Sequence, residues 1–60
     1  MLPQDPMILL SVLNTKLRDQ YSSLMELCDD LDEDEASILL LMEHAGYVYD
    51  RDKNQFVGKA

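Results

Sequence analysis

The chain has sixty residues and a net charge of −7, from twelve acidic and five basic side chains. That length supports one small domain (1–60), whose folding hides only ~60% of the surface of the unfolded chain, so the core is marginal without regular packing or association. A single cysteine, Cys28, excludes an internal disulfide, and with a single histidine, His44, it leaves too few ligands for a structural zinc site.

Residues 1–5 read as an extended lead-in, because Pro3 and Pro6 turn the residues before them away from helix. Asp5-Pro6 is a helix start, an Asp cap followed by Pro at the first helical position. Leu9, Leu10, Leu13 and Leu17 then recur at helical spacing, so the first helix is expected over 6–20, with Tyr21 covering one edge. Ile8 and Val12 lie one turn apart beside that stripe and either widen its apolar face or expose a second one. Ser23 and Glu26 have capping-box spacing, and Leu24, Leu27, Cys28 and Leu31 fall at i, i+3, i+4 and i+7. They predict a second helix over 24–31. Asp32 or Asp34 caps a third helix over 34–45, with Asp32 and Glu35 again at capping-box spacing and Gly46 as its left-handed stop. Its core stripe reads Ile38, Leu39, Met42 and Ala45, with Ala36 near its start. The period then changes to two. Tyr47-Val48-Tyr49 and Gln55-Phe56-Val57 are expected as a hairpin over 47–57 around a polar turn, with residues 58–60 as a tail. Tyr47 and Phe56 must pack on the helices, because a lone hairpin is marginal. The expected fold is mainly α: three helices in a helix-turn-helix-like order with a small C-terminal β-hairpin.

The motifs Leu2-Pro3-Gln4-Asp5-Pro6, Asn14 to Leu24, Gly46-Tyr47-Val48-Tyr49-Asp50 and Asn54-Gln55-Phe56 span nearly the whole chain. In this order they resemble a family of short bacterial proteins known only as a domain of unknown function. The resemblance implies a bacterial source and a standalone domain, and it carries no activity or site residues to transfer. Leu40 and Leu41 depart from it, standing where polar residues are expected on such a helix.

The acidity is local. Asp29, Asp30, Asp32, Glu33, Asp34 and Glu35 supply half of the acids, and outside them six acids face five bases. That patch repels phosphates and anionic membranes. Asp30, Asp32 and Asp34 match the first three ligand positions of a calcium loop, but Glu35 replaces the glycine of the turn and Leu41 the bidentate glutamate, so caps and a solvated turn account for them better. Asp50, Asp52 and Asn54 repeat the spacing, and the chain ends before the twelfth position. A winged helix-turn-helix would read DNA with the third helix, which has no Lys or Arg. Lys16, Arg18, Arg51, Lys53 and Lys59 are few and dispersed, so nucleic-acid binding is the weaker alternative. Cys28 lies on an apolar stripe, His44 has no triad partner, and two glycines make no phosphate loop, so neither catalysis nor a cofactor is expected. No apolar run approaches the ~20 residues of a membrane span, and the start lacks a basic stretch before an apolar one. A lone thiol without an export signal fits a reducing cytoplasm.

What remains is Ile38-Leu39-Leu40-Leu41-Met42. Five consecutive apolar residues wrap all round a helix, since each turns ~100° from the last. A small domain covers one side of a surface helix, so Leu40 and Leu41 are expected at a partner contact, joined by Ile8, Val12 or Met25. The functional expectation is therefore a protein-interaction or self-associating module, a homodimer or a small adaptor.

Overall fold

The computed structural model describes residues 2–59. Three helices, α1 (Pro6–Asp19), α2 (Leu24–Leu31) and α3 (Glu35–His44), precede an antiparallel hairpin of β1 (Tyr47–Asp50) and β2 (Gln55–Gly58). Each boundary has a local cause. The Asp5 carboxylate accepts from the N–H groups of Met7 and Ile8, at 2.9 and 3.3 Å, and Pro6 needs no partner at the first position. The Ser23 hydroxyl accepts from Glu26 N–H at 3.1 Å, as a capping box requires. The return arm does not close on Ser23. The Glu26 carboxylate takes the N–H and hydroxyl of Ser22 instead, at 3.3 and 2.7 Å, so the box is shifted by one residue on that side.

Asp32 does not cap α3. It sits in the left-handed region (φ 56°, ψ 45°) and closes α2, where Glu33 N–H donates to Cys28 C=O at 2.8 Å. Asp is among the few non-glycine residues that adopt this conformation at modest cost. Asp34 is the cap residue of α3, but its side chain accepts from the Ser37 hydroxyl and not from a backbone N–H. Gly46 stops the chain's helical course at φ 94°, as its place in the sequence predicts.

The core consists of Leu9, Leu13 and Leu17 of α1, Leu24, Leu27 and Cys28 of α2, Ile38 and Met42 of α3, and Phe56 of β2. Leu10, Leu31, Tyr21, Tyr47 and Tyr49 pack against it while partly exposed, as does Leu2 of the lead-in. Leu39 is the core expectation that fails. It is 37% exposed, because α3 turns only Ile38 and Met42, one turn apart, fully inward. Ala36, expected near the start of that stripe, is exposed as well.

The register sets Tyr49 opposite Phe56 and Val48 opposite Val57. Directly opposed residues share a face, so the aromatic pair, with ring centroids 5.5 Å apart, packs on the core and the valine pair lies on the other face of the hairpin. Gly58 belongs to β2 and Lys59 N–H donates to Gly46 C=O at 2.8 Å, so the expected tail is paired through Lys59. The positions of Met1 and Ala60 in the lead-in and tail lie outside the described residues.

Candidate interaction surface

The hairpin is fixed to the helices by two asparagines. Asn14, in the middle of α1, accepts from Phe56 N–H at 2.7 Å and donates to Phe56 C=O at 3.1 Å. Its amide thus pairs with β2 as a neighbouring strand would. Asn54 takes the left-handed conformation in the turn (φ 52°) and donates to the carbonyls of Leu17 and Tyr21, at 3.0 and 2.9 Å. These two carbonyls lie near the end of α1, where the helix leaves acceptors without partners. The Asn54 side-chain oxygen accepts from the Tyr49 hydroxyl, which itself accepts from Leu24 N–H at 3.2 Å at the start of α2. Among the described residues, no buried side-chain nitrogen or oxygen is left without a partner. In the sequence Asn54 stands out only as a calcium-like position and a motif residue, and Asn14 only within a motif; neither is expected there to join the hairpin to the helices.

With the hairpin held there, the two flanks of α3 meet different neighbours. On one flank Leu39 and Leu40 line a shallow groove of about 350 Å³ with Tyr47 and Val48 of β1. Leu40 is 56% exposed and Val48 36%. On the other flank Leu41 lines a separate groove with Leu2 and Pro3 of the lead-in, and is 37% exposed. The five residues expected at a contact are therefore not brought together as one patch. Leu39 and Leu41 are two positions apart, ~200° round the helix, and Leu40 between them falls on the hairpin flank with Leu39, so Leu40 and Leu41 line different grooves. Ile8 is exposed and Val12 half-buried on α1. They occupy the side of α1 turned from the hairpin, because Asn14 and Leu10 mark the side that faces it. Met25 is exposed at the start of α2 and lines a further groove with Glu35, Tyr49 and Arg51. A residue missing from the sequence expectation joins the hairpin side: exposed Met7, whose sulfur accepts from the Tyr47 hydroxyl at 3.7 Å.

The chemistry of the remaining candidates is quiet. Cys28 is buried, and burial together with Glu35, Glu33 and Asp34 pushes its thiol above the ordinary range, which favours the unreactive protonated form. His44 is exposed at the end of α3. Arg18 and Asp19 form the only ion pair among the described residues, at 2.8 Å on the surface; their hydrogen bond raises the guanidinium and lowers the carboxyl. Among the described residues no group of three or more His, Cys, Asp or Glu side chains is placed to hold a metal ion. No helix there is long and apolar enough to cross a membrane. No curated protein and no solved structure matches the chain. A family model does match, over residues 3–56, and the chain belongs to that family, Domain of unknown function (DUF4250).

Proposed function

We propose that this chain acts as a self-associating interaction module, without catalysis, and that the face formed by α3 and β1 meets the same face of a second copy. The observation that supports this most is the apolar groove lined by Leu39, Leu40, Tyr47 and Val48, with Leu40 more than half exposed. A sixty-residue chain gains from covering such a surface, because its own core is small. A two-fold interface uses one patch twice, so the patch must tolerate its own charge. This one does: Glu43 is its single charged side chain, and the acidic run from Asp29 to Asp34 contributes nothing to it. The buried Cys28, whose thiol is pushed upward by burial, and the solvent-facing His44 support the reading without catalysis.

Replacing Leu40 with Lys tests the reading. The side chain is exposed, so the variant should keep the helical spectrum of the parent, while two buried positive charges meeting across the axis should abolish association. A variant that associates like the parent refutes this face. Nothing in the arrangement favours nucleic acid: α3 has no Lys or Arg, and Arg18 is committed to Asp19.

A further inference from the structure

We infer that the opposite flank of α3 is a second docking surface, and that it takes a basic, apolar-faced helix from a different protein. The groove is lined by apolar Leu2, Leu9, Ile38 and Leu41, with the polar Gln4 and Ser37 among them, and Glu33 and Asp34 complete its wall as an anionic rim. Its volume is about 510 Å³. Leu9 and Ile38 are buried core residues, so the floor is the wall of the core itself, and Leu41 extends it to the surface. The charge beside it has one sign. Glu33 and Asp34 belong to a run that also holds Asp29, Asp30, Asp32 and Glu35, and no basic residue interrupts it from Asp29 to Glu43.

An apolar floor with an anionic rim selects its occupant by two criteria at once. Leucine-like side chains must enter, and Lys or Arg must flank them. Phosphates and anionic lipid surfaces meet the rim as like charge and are repelled. A second copy of this chain does not fit either. Its five bases form no basic helical face: Arg18 is bound to Asp19, Lys16 is two positions away and ~200° round the same helix, Arg51 and Lys53 alternate with Asp50 and Asp52 in the turn, and Lys59 stands beyond the hairpin. The occupant is therefore a partner segment with Lys or Arg on one helical face and leucines on the other. This surface is distinct from the Leu39–Leu40 flank proposed for self-association, so both can be filled together.

The test is fluorescence anisotropy of a labelled synthetic helix, with leucines at i, i+3, i+4 and i+7 and lysines elsewhere, titrated with the full chain. The expected result is saturable binding that weakens about tenfold in the Glu33→Lys/Asp34→Lys variant and falls with added salt. The same helix with glutamates in place of lysines should not bind, and a lysine helix without leucines should bind about tenfold more weakly. Leu41→Gln, which keeps the rim, should weaken binding as well, and it reads the groove should the charge-reversed variant lose its helical spectrum. No saturable binding, equal affinity for the leucine-free helix, or unchanged affinity in Leu41→Gln overturns the proposal. The titration is repeated in Leu40→Lys. Retained binding there supports the groove whether or not the parent associates, whereas loss of binding in a folded Leu40→Lys chain would mean that no independent groove exists.

Discussion

Asn54 combines three functions in one side chain: it adopts the left-handed turn, satisfies two carbonyls of the first helix and its exit, and orients the Tyr49 hydroxyl. Replacing it with Ala removes the hydrogen bonds and also strains the turn, so a loss of about 1–3 kcal/mol is expected in urea unfolding. Asn54→Gly, which relieves only the backbone, should recover a part of that loss. Asn14 offers a finer test. Asn14→Asp keeps the acceptor for Phe56 N–H but sets a carboxylate oxygen against Phe56 C=O, so it should destabilise despite its nearly identical shape. Equal stability of Asn14→Asp and the parent would show that the amide donor contributes nothing. Neither asparagine could be read as a structural lock from the sequence. Their partners lie 42, 37 and 33 positions away, and neither periodicity nor cap spacing encodes a contact that distant. What sequence does show is an Asn in mid-helix, where its propensity is poor, and that is a sign that a partner is present.

At the scale of elements, the three helices and the hairpin were legible because their ends carry local chemistry: Asp5-Pro6 before α1, Ser23 before α2 and Gly46 after α3. The acidic turn was less legible, since Asp32 and Asp34 both have the chemistry of a cap and only the backbone decides which one serves. The structure separates the caps by strength. Asp5→Ala should cost about 1 kcal/mol, because two N–H groups lose their acceptor. Asp34→Ala should cost distinctly less, because that carboxylate holds the Ser37 hydroxyl and no N–H of the first turn. Thermal unfolding of the two variants ranks them, and a larger loss for Asp34→Ala would contradict the geometry. The α3 run from Ile38 to Met42 was the least legible stretch. A continuous apolar segment has no period, so nothing in it distinguishes inward Ile38 from half-covered Leu39. The lead-in and the hairpin make that distinction by lying on opposite flanks of the helix.

For the whole molecule, alkaline pH should be the destabilising direction. Cys28 is raised chiefly by burial and Tyr21 chiefly by its hydrogen bond to Asp30, so in both cases the folded chain holds its proton more tightly than the unfolded chain. Their contribution is complete below the ordinary thiol range and is lost as pH rises through the thiol and phenol ranges. Urea midpoints should therefore fall progressively above about pH 9. Cys28→Ala should remove the thiol part of that dependence, and an unchanged pH profile in that variant would show that the buried thiol is not its source. Self-association through α3 and β1 rests on an apolar face beside a core of modest size. Sedimentation equilibrium over a wide concentration range tests it most directly. The expected mass rises from one chain toward two with concentration and returns to one in Leu40→Lys. A mass of one chain at every concentration would contradict it.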